Sequence, residues 1–350
     1  PPNFTSKSCV KAADFDHDGR PDLFIGGRVD PGNYPLPVSS FIFRNEIHNG
    51  KLQFVDVTHE VCKELENVGM VCDGLWTDFN NDGWPDLIIA GEWMPLRFFR
   101  NDHGKFTEIT ENTGISGEKG WWNSITAGDF YNDGDMDYVV GNLGLNSFYR
   151  ASNRYPVSIY AADFDHNGIL DAIPTVYLPD QQGSLQEFPA QTLDDIIRQL
   201  PGLRKRFPTY KDFANANIHE ILSSADLESA LTLRANHMAS VYIENLGNGK
   251  FTMRDLPSRA QFAPLYGMQA DDFNHDGNLD LIVCGNDFGT EVSKGRYDAL
   301  NGLLLLGDGK GNFNPQSPAQ SGICIPGDAK GLVRFMGKND QYKIASSQNR

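Results

Sequence analysis

Asp14-Phe15-Asp16-His17-Asp18-Gly19-Arg20-Pro21-Asp22, followed by Leu23-Phe24-Ile25, decides the fold because it comes back four times. The copies are Asp78-Phe79-Asn80-Asn81-Asp82-Gly83-Trp84-Pro85-Asp86, Asp129-Phe130-Tyr131-Asn132-Asp133-Gly134-Asp135-Met136-Asp137, Asp163-Phe164-Asp165-His166-Asn167-Gly168-Ile169-Leu170-Asp171 and Asp272-Phe273-Asn274-His275-Asp276-Gly277-Asn278-Leu279-Asp280. Each runs into a short apolar stretch such as Leu87-Ile88-Ile89 or Leu281-Ile282-Val283. Oxygen-bearing side chains recur at the first, third, fifth and ninth positions, with glycine at the sixth.

That spacing is calcium chemistry. Ca²⁺ is a hard ion that takes about six to eight oxygens at roughly 2.3–2.6 Å, and a glycine at the sixth position allows the sharp turn that gathers them. An EF-hand opens the same way but closes on glutamate between helices. Here the loop closes on aspartate, and the stretch after it is short and partly β-branched, the signature of a strand. The expected ligand side chains are Asp14, Asp16, Asp18 and Asp22; Asp78, Asn80, Asp82 and Asp86; Asp129, Asp133 and Asp137; Asp163, Asp165, Asn167 and Asp171; Asp272, Asn274, Asp276 and Asp280. The carbonyls of Arg20, Trp84, Asp135, Ile169 and Asn278 complete the shells. Tyr131 takes a ligand position in the third loop, which stays empty or recruits the Asp135 side chain or water. Four strong Ca²⁺ sites are expected, with a fifth if the third loop fills.

A second pattern alternates with the loops. Phe41-Ile42-Phe43-Arg44-Asn45 turns through Asn49-Gly50, Arg97-Phe98-Phe99-Arg100-Asn101 through His103-Gly104, Val241-Tyr242-Ile243-Glu244-Asn245 through Asn248-Gly249, and Leu303–Leu306 through Asp308–Asn312. Asn-Gly and its relatives are strong hairpin signals. Each unit therefore reads strand, loop, strand, connection, strand, turn, strand, which is one four-stranded blade. The expected fold is an all-β propeller spanning residues 1–350, with six recognisable repeats, the last incomplete, and six or seven blades. The sixth repeat starts at Gly331-Leu332-Val333-Arg334-Phe335, and its loop, Met336–Gln341, has lost the ligands.

Residues 181–238 break the pattern, and are read as a helical insertion within the fourth blade. Leu193, Ile196, Ile197 and Leu200 follow the helical period behind Thr192 as N-cap. Asn217–Leu222 and Ser224–Leu233 read as two further helices, with Ser223 and Asp226 spaced as a capping box.

Composition sets limits on function. The 350 residues are 40% apolar, enough for a large core, and the net charge of −16 argues against nucleic acid or anionic membranes as partners. Seventeen aspartates lie in the five loops, so much of that charge is expected to serve as ligand rather than solvated surface. The five cysteines show no zinc spacing and read as apolar residues, with a Cys62–Cys72 disulfide as the alternative. No stretch is long and apolar enough to span a membrane. The chain opens at Pro1 without Met, as a mature or excised segment would, so export cannot be judged from its start.

The repeats resemble the FG-GAP/VCBS family, which includes the propellers of integrin α subunits. The likeness is nearest to bacterial VCBS-repeat proteins of the Bacteroidetes type that carry an ASPIC/UnbV module. It rests on Asp78–Asp86 with Gly91-Glu92-Trp93-Met94-Pro95, and on Gly120-Trp121-Trp122-Asn123-Ser124-Ile125 with Gly141-Asn142-Leu143-Gly144-Leu145-Asn146-Ser147. The resemblance implies a calcium-stabilised propeller at an extracellular, outer-membrane or periplasmic location, and leaves the ligand open because one fold hosts many roles.

If the calcium loops share one face, the connections leaving each second strand emerge on the other. Variable connections on a rigid scaffold are where binding lives, and they carry Arg28, Glu92, Trp93, Asn142, Asn146, Arg296 and Tyr297 as the candidate ligand face. The first reading is a binding or adhesion module for a glycan or protein. The second is a structural part of a larger surface assembly, docked through the helices. The third is a polysaccharide-active enzyme, although G-x-S-x-G, H-E-x-x-H and P-loop motifs are all missing from the sequence. His17, His166 and His275 occupy the fourth loop position and read as turn residues.

Overall fold

Asp22, Asp86, Asp137, Asp171 and Asp280 each open the second strand of a sheet, so every loop does join two antiparallel neighbours. The computed structural model describes residues 4–338 and 341–349. Its first sheet is β1 (Ser6–Ala13), β2 (Asp22–Val29), β3 (Phe41–His48) and β4 (Lys51–Asp56), paired in that order. The second is β5 (Met70–Thr77), β6 (Asp86–Pro95), β7 (Arg97–Asp102) and β8 (Lys105–Glu108), with β9 (Lys119–Trp121) added along the far end of β6.

The third sheet departs from the sequence reading. β10 (Ser124–Gly128) and β11 (Asp137–Gly141) flank the third loop, but β11 pairs next with β16 (Val241–Asn245), followed by β17 (Phe251–Asp255). The Val241 hairpin, read as part of the fourth unit, thus completes the third. Residues 142–240 lie between its second and third strands. They build a sheet of their own from β12 (Val157–Ala162), β13 (Asp171–Pro179), β14 (Leu185–Pro189) and β15 (Leu231–Ala235), in the order β14-β13-β12-β15. The fourth loop belongs to this inserted sheet. The remaining sheets are β18 (Leu265–Asp271), β19 (Asp280–Gly285), β20 (Leu303–Gly307) and β21 (Phe313–Pro315), and the pair β22 (Asp328–Met336) and β23 (Tyr342–Asn349). Residues 339 and 340 of the expected sixth loop lie outside the described residues.

The first strands β1, β5, β10, β18 and β22 are successive neighbours, and together they line one central cleft. This is propeller-like packing of an all-β chain. The inserted sheet stands off that axis, its β15 packing on β6 and β9. Five short helices bridge β14 and β15: Leu193–Gln199, Leu203–Arg206, Tyr210–Ala214, Ile218–Ile221 and Ser224–Ser229. Thr192 caps the first, and Asn217 and Ser223 head capping boxes. Their apolar faces bury Ile196, Leu203, Phe213, Ile218 and Ile221 against Ile173 of β13. The last helix stops at Ser229 rather than Leu233. Leu231 and Leu233 alternate on β15 opposite Ala161 and Ile159 of β12.

Phenylalanine at the second loop position ties one sheet to the next. Phe15 sits 5.7 Å from the Phe106 ring, Phe79 6.1 Å from Phe251, and Phe130 5.4 Å from Phe313, each partner lying on the fourth strand of the following sheet. The backbone repeats the tie. Asn101 Nδ2 donates to the Phe15 carbonyl at 2.8 Å and Asn245 Nδ2 to the Phe79 carbonyl at 2.9 Å. Asn245 makes this bond only because its hairpin belongs to the third sheet. All five cysteines are free thiols, Cys62 and Cys284 within the core. Among the described residues no helix is long and apolar enough to cross a membrane.

Candidate functional site

The five loops share one backbone. The fourth residue (His17, Asn81, Asn132, His166, His275) has φ between 57° and 62°, and the sixth, glycine, between 85° and 91°. A Cβ on these glycines would meet nothing within 4 Å, so their requirement is conformational rather than steric. The first aspartate accepts the N–H groups of the fifth and sixth residues at 2.7–3.1 Å in every loop. The fifth side chain accepts the N–H of the seventh at 2.8–3.0 Å. The loop is therefore built to curl, and its remaining oxygens converge.

In two loops three carboxylates meet. Carboxylate oxygens of Asp14, Asp16 and Asp18, and of Asp163, Asp165 and Asp171, lie within 4.8 Å of one another. Asp16 Oδ1 is buried without a hydrogen-bond partner. Burial pushes the Asp86 carboxyl up to about 7 and those of Asp22 and Asp137 up to about 6, and the other loop carboxylates add to the rise. Crowded, partly buried carboxylates with an orphaned oxygen are the donor set a hard divalent cation fits. In the third loop the Asp135 carboxylate accepts Asn81 Nδ2 of the second loop at 2.6 Å, which turns it toward that neighbour.

The ninth-position aspartate has a second job that the sequence reading missed. Asp22, Asp86, Asp137 and Asp280 also accept the N–H of Asn45, Asn101, Asn245 and Gly307, at 2.7–2.9 Å. Each fixes the third strand to the loop. The recurrent Asn at the end of the first three hairpins was the available signal.

At the other end of the strands, two clefts adjoin. The central cleft, about 620 Å³, is lined by the five first strands, by Arg28 and Glu92 near the ends of β2 and β6, and by Asp287 just after β19. Its charges are matched. Lys11 meets Asp73 at 2.8 Å, Arg28 pairs with Glu92, and Lys330 lies 3.7 Å from Asp287. Arg28 Nη1 is buried and unpartnered. The neighbouring cleft, about 430 Å³, is aromatic, with Tyr34, Trp93, Trp121 and Tyr149 facing Ile159, Ala172 and Pro174 of the inserted sheet. Tyr34 joins the two, accepting Trp93 Nε1 at 2.7 Å and reaching Glu92 Oε2 at 3.4 Å.

The expected face residues divide among these places. Arg28 and Glu92 line the central cleft and Trp93 the aromatic one. Trp93 holds φ +62°, a genuine outlier for a bulky residue, at an irregularity of β6 between Glu92 and Met94. Asn142 is fully buried. Its side chain accepts the N–H of Trp121 and Leu143 and donates to the His237 carbonyl, so it is a structural clasp. Tyr297 is buried in the cluster around Trp93, its hydroxyl unpartnered. Asn146 is exposed and donates to the Phe262 carbonyl; Arg296 is exposed, its guanidinium 5.0 Å from the Phe288 ring centre. Trp121, Tyr149 and Gln191 were not singled out as ligand residues from sequence, where an isolated aromatic cannot be told from an inter-sheet packing residue.

Two loops separated by a strand, a hairpin and a further strand form the unit that recurs. Residues 78–140 match an FG-GAP-like repeat. This FG-GAP-like repeat covers the second loop, β6 to β10, the third loop and nearly all of β11. Such repeats build β-propeller modules of the binding and adhesion type, typically outside the cell. No curated protein matches the chain.

Proposed function

We propose that the chain is a calcium-stabilised extracellular or cell-surface binding module that recognises a glycan or protein through the face opposite the loops of the axial sheets. The observation that carries this reading is the meeting of connections from separate sheets at one place. Arg28 lies near the end of β2 and Tyr34 follows it, Glu92 and Trp93 lie near the end of β6, Tyr149 follows β11, and Asp287 and Glu291 follow β19. The loops repeat one solution to one folding problem, whereas these connections bring together unlike groups, which recognition requires.

The reading is tested with a glycan array and a panel of extracellular proteins, using saturating calcium at low temperature. Asp16→Ala is expected to lower the melting temperature while leaving binding intact. Arg28→Ala removes the unpartnered Nη1 donor of the central cleft and is expected to lower affinity roughly tenfold or more. Loss of binding in Asp16→Ala with the fold preserved would place the ligand on the loop face instead.

The fourth loop is an exception to this division. Leu170, at its eighth position, lines the aromatic cleft beside Ala172, and the Ala172 N–H is held by Gln199 Oε1 at 2.7 Å. Calcium entering this loop is therefore expected to move the Trp121 indole N–H resonance. Asp165→Ala should abolish that shift, and Asp16→Ala should leave it. An identical shift in Asp165→Ala would remove the coupling.

A further inference from the structure

We infer that the aromatic cleft is a binding site for an uncharged sugar ring, a commitment that rests on the face opposite the axial loops being the ligand face. Three independent features lead to that class. The first is ring geometry. Trp93 meets Trp121 edge to face, with centroids 4.9 Å apart and planes at 68°, and Trp121 meets Tyr149 at 4.8 Å and 64°. Trp121 and Tyr149 are only half-buried where they line the cleft, and the C–H face of a pyranose stacks on an aromatic face left open in this way.

The second feature is an unmet donor and an unmet acceptor. Trp121 and Gln191 both line the cleft, and Trp121 Nε1 and Gln191 Oε1 are each buried without a hydrogen-bond partner. A buried donor or acceptor left unpaired is costly, so a ligand group that pairs it is favoured. An apolar side chain or a planar hydrocarbon would cover the rings and leave both atoms unpaired. A hydroxyl donates and accepts, so a polyol carries both kinds of partner that these atoms lack.

The third feature is charge. Glu291 is the sole charged residue among those lining the cleft. A uronate or sulfated sugar would meet a carboxylate and no cation. A neutral sugar, N-acetylated sugars included, meets no such repulsion. The cleft volume, about 430 Å³, falls in the ordinary range for small-molecule sites, roughly 300–1,000 Å³. The left-handed backbone of Trp93 fits the pattern of strain held at a ligand clamp.

The experiment is calorimetric titration of the calcium-loaded chain with cellobiose, diacetylchitobiose, mannobiose and galactobiose, with digalacturonate as the acidic control. At least one neutral disaccharide is expected to bind, and digalacturonate to bind more weakly. Trp121→Phe keeps a ring and loses the N–H, and should weaken binding roughly tenfold, as should Gln191→Ala. Trp121→Ala removes the stacking surface as well and should weaken it roughly a hundredfold or more. Melting curves of Trp121→Phe and Gln191→Ala should stay at the parent value. Tighter binding of digalacturonate, or neutral-sugar binding unchanged in both Trp121→Phe and Gln191→Ala, overturns the assignment. If no disaccharide binds while Arg28→Ala still abolishes capture of a protein ligand, the sugar assignment falls and the face reading stands. If Asp16→Ala, with its fold intact, is what abolishes binding, the face reading itself has failed.

Discussion

Excess chelator is expected to lower the melting temperature of the calcium-loaded chain by on the order of 10 °C. A ligand held only by the native state stabilises by mass action. With calcium about fifty times above its dissociation constant, each site adds about 2.3 kcal/mol, and extracellular calcium loops commonly bind at roughly 10⁻⁴–10⁻³ M. Four such sites acting independently give about 9 kcal/mol. The unfolding entropy of a 350-residue chain, scaled at about 2.1 cal/mol/K per residue, converts that to a shift on the order of 10 °C. The physical origin lies in the carboxylates. Asp14, Asp16 and Asp18 crowd within 4.8 Å, and buried Asp86 is driven toward neutrality. Without a cation these groups repel one another and resist burial. A thermal melt that does not change in excess chelator would rule out calcium as a structural element.

Phe79→Ala is expected to cost about 3–5 kcal/mol and to lower the melting temperature by about 4–7 °C. Phe79 is fully buried, its ring packed on Phe98 of its own sheet and Phe251 of the next. Its N–H binds Asp86 and its carbonyl binds Asn245, so the cavity opens where loop, sheet and neighbouring sheet meet. Phe164 holds the same loop position in the inserted sheet but is only half-buried, so Phe164→Ala should cost clearly less. Chemical denaturation of the two variants side by side decides it. Equal losses would mean that burial between axial sheets is not what the second loop position provides.

The strand–loop–strand units were legible because the information is local: a nine-residue spacing, an apolar run and an Asn-Gly turn. The capped helices at Thr192, Asn217 and Ser223 were legible for the same reason. The pairing of β11 with β16 was not, since nothing near Val139 announces a partner at Tyr242. The resemblance of Ile243-Glu244-Asn245 to Phe99-Arg100-Asn101, and the missing hairpin after Val140, were the only hints. β15 was lost because Leu231 and Leu233 follow a helical run whose period masks a two-residue alternation. The ligand face was half legible. Glu92 and Trp93 stood out in sequence, but a cleft assembled from Tyr34, Trp121, Tyr149, Gln191 and Glu291 exists only after five distant segments meet. Asn142 shows the reverse error, a polar residue in a varied connection that proves to be wholly committed to holding backbone.

Residues 142–240 leave and re-enter the third sheet on one rung. Val140 faces Val241, and the Asn142 N–H is tied to Ser240 Oγ at 3.0 Å. A detour closed at its base adds little to the entropy of forming that rung, because closure cost rises only slowly with length. The segment is thus a cassette: its size and content can drift through evolution, or be exchanged by design, while the sheets around the axis keep their pairing. The cassette also carries Leu170, Ala172, Pro174 and Gln191, one wall of the aromatic cleft, whose other wall belongs to the axial sheets. On the proposed reading, replacing it would change one wall of the ligand cleft while the axial sheets keep their strand pairing.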